Sequence, residues 1–268
     1  MNATQTLSDA LTSLGLQVTH TADVWEVTRG HGPKSTAVTF DIAAVPAGDS
    51  EAAARLQHCA FARGVYAVIN EPRNSDAATW DYLACAGRLT PSIEHKAFVD
   101  GAAACGQRAW TIEFNDDLVV TYHIELDRGS RLLTWSQFLM WGVTPDRISS
   151  ASRSLLYYKT AQDALSGEFE PDPASGGHFY QIGDGNDAAR ALILSDLDFQ
   201  RVRRGLIFAV PHADILLITD KTDASSLRKF NQAVSDSFGA AQWPLSRGLF
   251  TYEDAKHLRR VSVPASAP

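Results

Sequence analysis

The chain has 268 residues, 45% hydrophobic and 21% charged, with a formal net charge of −7. That composition is ordinary for a globular protein and long enough for one large core or two smaller ones. The net acidity argues against nucleic acid or an anionic membrane as the main partner, since both call for a basic footprint.

The opening residues, Met1 to Asp9, lack the basic and apolar regions of a secretory signal. No run approaches the roughly eighteen apolar residues of a membrane span. Three cysteines, Cys59, Cys85 and Cys105, are widely spaced with no Cys-x-x-Cys pair, which fits a reducing compartment. The expected setting is the cytoplasm.

Thr6 to Leu14 reads as a short helix with Leu7, Leu11 and Leu14 on one face and Gly15 at its end. Val24 to Val27 and Thr36 to Ile42 read as strands, separated by the turn Gly30-His31-Gly32-Pro33. Asp49 or Ser50 is placed to cap a helix running to Gly64, and Asp76 to Ala86 is a second helical candidate after the loop 70–75. Residues 88–108 are interrupted by Pro91, Gly101 and Gly106 and give no clear pattern, so a domain boundary is expected near 105.

Trp110, Ile112 and Phe114 alternate, Asn115-Asp116 turns the chain, and Leu118, Val120, Tyr122 and Ile124 alternate again. That pattern predicts an antiparallel hairpin with one buried face. Thr134 caps a short helix ending at Gly142, and Thr144-Pro145-Asp146 opens another with Ile148, Ala151, Leu155 and Tyr158 inward. Residues 163–177 form a long loop. The apolar runs 205–210 and 214–219, joined by Pro211-His212-Ala213, must pair antiparallel. Asp223 caps a helix with Leu227, Phe230, Val234 and Phe238 on one stripe, closed by Gly239.

The fold expected is α+β: a mixed, largely antiparallel sheet in the C-terminal half flanked by helices, with a smaller α+β N-terminal portion. The division expected is 1–105, 106–262 and a disordered tail at 263–268.

The densest chemistry lies between 178 and 214. Gly183-Asp-Gly185-Asn-Asp-Ala188 formally matches a dinucleotide loop, but Asp184 and Asp187 would put two carboxylates beside the phosphates. The antiparallel strands that follow are also wrong for a parallel nucleotide-binding unit. Asp184 or Asn186 is expected to cap the helix that follows, with Asp187 favouring its dipole. The same oxygens are the candidates for a divalent metal, Asp184 and Asp187 with His178 adding a nitrogen. His212 is the candidate general base, and Asp214, entering an apolar strand, is an acid that needs a partner such as Arg203 or Arg204 or a wet pocket lip. No cofactor is predicted, and nucleotide-loop, nucleophile-elbow and zinc-helix motifs are absent.

Several of these motifs recur in a known order. Val120-Thr-Tyr122-His-Ile124 precedes Leu133-Thr134 and Trp141-Gly-Val143-Thr-Pro-Asp. Then come Asp184-Gly-Asn-Asp187-Ala-Ala-Arg-Ala-Leu192, Ala209-Val-Pro211-His-Ala-Asp214 and Trp243-Pro-Leu-Ser246-Arg-Gly-Leu-Phe250. Over residues 109–253 this resembles the bacterial "domain of unknown function 1444" family. The family's Val-Pro turn is typically followed by an Arg-Asp pair, and here position 213 is alanine. The resemblance implies the fold and a bacterial cytoplasmic setting, and no reaction.

The functional expectation is a non-catalytic protein that binds a protein partner or a small ligand. The alternative is a metal-assisted hydrolase or transferase acting on a small substrate at the acidic cluster.

Overall fold

The computed structural model describes residues 3–21, 24–30, 36–72, 79–164, 170–172, 177–197, 202, 204–253 and 258–263. The turn from His31 on, half of the loop at 70–75, much of 163–177, Arg201, Arg203 and the tail beyond Val263 lie outside these residues.

Helix α1 (Ala3–Ser13) buries Leu7 and Leu11, and Gly15 takes the left-handed conformation (φ 75°) that ends the segment. Strands β1 (Gln17–His20), β2 (Val24–Arg29) and β3 (Thr36–Asp41) form an antiparallel sheet in that order. The alternation of β2 turns Trp25 and Val27 inward onto Phe61, Ala62, Val65 and Ile69 of α2 (Glu51–Ile69). Ser50 caps α2, its Oγ accepting from the Ala53 N–H at 3.2 Å. The helix does not stop at Gly64. It continues to Ile69, and Gly64 lies where a later helix, α4 (Lys96–Ala104), crosses, its missing side chain letting the two backbones meet.

The stretch 88–108 is structured. After α3 (Tyr82–Ala86), capped by Asp81, come β4 (Leu89–His95) and α4 (Lys96–Ala104). Pro91 is tolerated because β4 is an edge strand, pairing only with β6 (Leu118–Glu125). The expected hairpin is β5 (Thr111–Glu113) and β6 (Leu118–Glu125), with β7 (Ser130–Leu132) on the same side of β6. One face of this sheet is apolar: Leu89, Val120, Tyr122 and Ile124 pack with Trp110, Leu133 and Ile148. The first turns of α6 (Pro145–Ala164) supply Ile148, and α5 (Trp135–Trp141), capped by Thr134, supplies Phe138.

The other face is polar. Cross-strand partners share a face in an antiparallel pair, and the register sets Ser92 opposite Thr121 and Thr90 opposite His123. Glu94 and Glu125 continue the same row. Helix α2 lies over this face, where Arg63 reaches Glu94.

The C-terminal sheet has six strands in the order β13-β12-β10-β11-β9-β8. They are β8 (Glu170–Asp172), β9 (Gly177–Tyr180), β10 (Ile207–His212), β11 (Ile215–Thr219), β12 (Phe250–Tyr252) and β13 (Leu258–Arg260). A 3-10 helix (Ala188–Ile193) and α7 (Leu194–Leu197) fall between β9 and β10, and α8 (Ala224–Ala240) between β11 and β12. Ile207, Ala209 and Leu217 face Leu227, Phe230 and Val234 of α8. Phe208, Val210, Leu216 and Ile218 face the other way, onto Ala188, Ala191, Leu194 and onto Ile93 and Leu118 of the neighbouring sheet. Asp223 caps α8, whose last turn contains Gly239 rather than ending on it. Every pairing among the described strands is antiparallel, and the fold is α+β. Residue 105 falls between β4 and β5, so strands on both sides of it share one sheet.

Candidate functional site

The glycine-acid segment is built around a residue that sequence reasoning passed over. Arg190 has no exposed side-chain surface. Its Nη1 and Nη2 donate to Asp184 Oδ1 and Oδ2 at 2.8 and 2.9 Å, and Nη1 also reaches Asp187 Oδ1 at 3.0 Å. Its Nε donates to Thr160 Oγ1 of α6 at 3.1 Å, and its guanidinium lies 4.8 Å from the centre of the Tyr180 ring.

Asp187 closes the loop from the other side. Its Oδ1 and Oδ2 accept from the main-chain N–H groups of Ile182 and Gly183 at 3.0 and 2.8 Å. The glycines at 183 and 185 both take positive φ (77°), which lets the chain fold back over this carboxylate. Asp184 does bind locally, accepting from the Asn186 N–H at 2.9 Å, but neither acid caps the 3-10 helix with its side chain. The capping expectation is therefore corrected: both carboxylates neutralise a buried arginine, which costs less than leaving that charge alone. The main-chain N–H groups of Ile182 and Gly183, at the entry of the glycine loop, are already held by Asp187.

The electrostatics follow from that geometry. Burial pushes the Asp184 carboxyl up, but the hydrogen bonds from Arg190 and Asn186 outweigh it and hold it at about 2. Burial opposes the Arg190 charge, and Asp184 beside it lifts its pKa above the ordinary arginine value. Burial raises Asp187 against the pull of the Ile182 and Gly183 N–H groups and Arg190.

The other expected site residues lie on different strands. His178 is on β9, opposite Ile218, with its Nδ1 buried and without a hydrogen-bond partner among the described residues. His212 ends β10, and its Nδ1 accepts from the Asp214 N–H at 3.3 Å. Burial lowers the His212 pKa, while Asp214 and Asp187 pull the other way. Asp214 itself is exposed in the β10–β11 turn, so it enters no apolar environment. Among the described residues no group of three His, Cys, Asp or Glu side chains is placed to hold a metal ion.

The structure instead brings Asp184, Gly185 and Asn186 to the rim of a cavity of about 650 Å³. Its floor is the polar face of the second sheet: Thr90, Ser92, Glu94, His123 and Glu125. Its roof is α2, through Arg63, Tyr66 and Ala67, with Asn70 just beyond the helix, and Trp243 closes one side. Arg63 Nη2 donates to Glu94 Oε1 at 3.0 Å, Nη1 lies 2.8 Å from Oε2, and Ser92 Oγ also donates to Oε1 at 2.9 Å. Burial raises the Glu94 pKa, with Arg63 and Ser92 opposing. Burial, helped by the Arg63 charge, pushes His123 down to about 4, so its imidazole is neutral at physiological pH. Glu125 pairs with Lys159 of α6.

Each acid on the cavity wall thus carries a cation: Glu94 with Arg63, Glu125 with Lys159, Asp184 with Arg190. The apolar alternation of β6 marks one of its faces in the sequence, and the polar face is the one that lines the cavity. The available signal was Thr121-Tyr-His123-Ile-Glu125, in which alternate positions, opposite the apolar face, hold hydrogen-bonding groups.

No family model matches the chain. No solved structure matches it either. It is similar to curated bacterial proteins designated UPF0354. A Bacillus cereus (strain AH187) protein is 34% identical over 173 residues, covering 63% of this chain and 62% of that relative. A Bacillus cytotoxicus relative is 25% identical over 174 residues, with 63% and 62% covered, and a Staphylococcus haemolyticus relative 26% identical over 170, with 62% and 57% covered. The chain therefore aligns with about three fifths of the length of these relatives. The expected likeness to a bacterial family of uncharacterised proteins is found under the designation UPF0354. Among the described residues no helix is long and apolar enough to cross a membrane.

Proposed function

We propose that this chain is a non-catalytic binding protein for a small, polar organic molecule, and that its site is the cavity between α2, the polar face of β4 and β6, and the loop 183–186. The supporting observation is the cavity itself. A covered sheet face is ordinarily apolar, yet this one carries Thr90, Ser92, Glu94, Thr121, His123 and Glu125 over a void of about 650 Å³. That volume lies in the range of small-molecule sites.

A protein cytoplasmic in a bacterium, acting on a small ligand rather than nucleic acid or membrane, is consistent with the acidic net charge. Membership of the "domain of unknown function 1444" family is part of the same reading. The metal-assisted hydrolase or transferase reading gains no support from a site whose two best carboxylates are turned onto Arg190.

Ligand binding to the native state raises stability with the logarithm of one plus the ratio of free ligand to Kd. A thermal-shift screen of polar metabolites against the full chain, repeated on Ala67→Phe to fill the cavity, tests the reading. Stabilisation seen in the parent and absent in a cooperatively folded Ala67→Phe protein is expected. Stabilisers that act equally on both proteins would place binding elsewhere and sink the proposal.

A further inference from the structure

Resting on that reading, we infer that the ligand is a short peptide with free termini, lying along β6 with its carboxylate on Arg63 and its ammonium on Glu125. Both side chains line the cavity and keep exposed surface, 21% for Arg63 and 39% for Glu125. Arg63 turns its two Nη atoms to Glu94. A guanidinium has five N–H groups, so the edge formed by Nε and one Nη is left, and that edge has the shape to hold a second carboxylate. Glu125 accepts from Lys159 through Oε1, which leaves Oε2 for a cation. Asp184, the other partly exposed acid on the wall, is saturated: both its oxygens accept from Arg190 and from Asn186.

The span between the two ends sets the length. Glu94 pairs with Val119, six residues before Glu125 on β6, which is about 20 Å of strand at about 3.4 Å per residue. That distance, less the reach of two long side chains, matches the ~10–14 Å of three or four extended residues. A single amino acid is too short to touch both ends. The floor between them has the repeat of a peptide. Ser92 pairs with Thr121, and His123 and Glu125 follow at two-residue steps of about 6.8 Å. Main-chain groups on one side of an extended peptide recur at the same interval. Ser92 Oγ donates to Glu94, so its lone pairs are left for a peptide N–H. His123 Nε2 lies 3.4 Å from Thr121 Oγ1, which leaves Nδ1 for a second main-chain group, and its neutral ring puts no charge between the two ends. Tyr66 and Trp243, on the roof and one side, suit apolar side chains. A sugar would match the floor but bring no charge to either end.

The test is isothermal titration calorimetry on the full chain with Ala-Ala-Ala, Ala-Phe-Ala, their N-acetylated and C-amidated forms, alanine and glucose. A free tripeptide is expected to bind saturably, and each capped form, which has lost one terminal charge, at least about tenfold more weakly. Glu125→Gln, checked for cooperative unfolding, should weaken the free tripeptide at least about tenfold and leave the N-acetylated form unchanged, because that form has already lost the partner charge. Arg63→Lys keeps a charge against Glu94 and loses the second edge, so it should weaken the free tripeptide and not the amidated one. Capped forms that bind like the free peptide, variants that do not tell them apart, or peptide binding that survives Ala67→Phe would each overturn the inference. Alanine or glucose binding that Ala67→Phe abolishes, or a stabiliser from the metabolite screen with no peptide binding, overturns the peptide class and leaves the cavity as the site. No compound binding here, together with no stabiliser in the metabolite screen, removes both.

Discussion

Asp187 sits with no exposed surface between a buried guanidinium and two main-chain N–H groups. Removing it would leave Arg190 short of a partner and two donors unsatisfied, so Asp187→Ala is expected to destabilise by about 3–5 kcal/mol. Asp184 is partly exposed, and Asp184→Asn should cost clearly less. Equilibrium urea unfolding of the two variants decides this, and equal costs would show that Asp187 does not dominate the cluster. His123 gives a pH signature. Its folded pKa of about 4 lies below the ordinary value of 6.5, chiefly because it is buried. Between those values the unfolded chain binds the extra proton, so stability falls as pH drops from about 6.5 to 4, by up to about 3 kcal/mol, with no further loss from this group below that. His123→Gln should flatten that part of the pH–stability curve. Asp184, held at about 2, acts in a lower window, between about pH 4 and 2.

At the scale of elements, the crossing of α2 and α4 depends on two glycines. A Cβ on Gly64 would lie 2.0 Å from the Phe98 carbonyl oxygen, and one on Gly101 would lie 2.1 Å from that of Phe61. Both obstacles are backbone, so the helices would have to separate. Gly64→Ala and Gly101→Ala should each cost about 1–3 kcal/mol or more. Gly239→Ala in α8 is the contrast, because its Cβ meets nothing within 4 Å. There the gain in helix propensity should stabilise by about 0.5–1 kcal/mol. Denaturation midpoints of the three proteins check the signs. These glycines also show what was legible. Sequence reasoning used Gly64 and Gly239 as stop signals, because a glycine's local preference is visible and the helix it packs against is not. Elements with a periodic apolar face, such as β6, α1 and α8, were readable. Strand β1 was not, since three of its four residues are exposed. Strand β4 was hidden by Pro91, which is harmless only at an edge. The candidate site was legible in its rim, Asp184 to Asn186. Arg190 could have been noticed as a charge inside the apolar run Ala188–Ile193. The cavity's Arg63, Asn70, Glu94 and His123 converge only through long-range pairing, which spacing does not encode.

The whole molecule is organised so that the cavity exists only when both halves are present. Residues before 105 supply the roof through α2 and part of the floor through β4, while residues after it supply β6, β7 and the loop 183–186. Strand β4 is paired with β6 from Leu89 opposite Ile124 to His95 opposite Leu118. Its buried residues enter two later cores. Leu89 packs with Trp110, Tyr122 and Leu133, and Ile93 with Leu118, Phe208 and Phe250. A fragment spanning 106–268 would therefore expose one whole side of β6, lose two fully buried aliphatic side chains and uncover the row Thr121, His123 and Glu125. Burying an aliphatic side chain contributes about 1.5–3 kcal/mol, and a domain has only about 5–15 kcal/mol in total. The fragment is expected to lack a cooperative thermal transition and dispersed amide resonances. Adding back residues 79–105, which carry α3, β4 and α4, should restore the sheet without restoring the cavity, because α2 would still be missing. If 106–268 alone unfolds cooperatively, the division at 105 marks a true domain, and β4 is an accessory strand rather than part of that core.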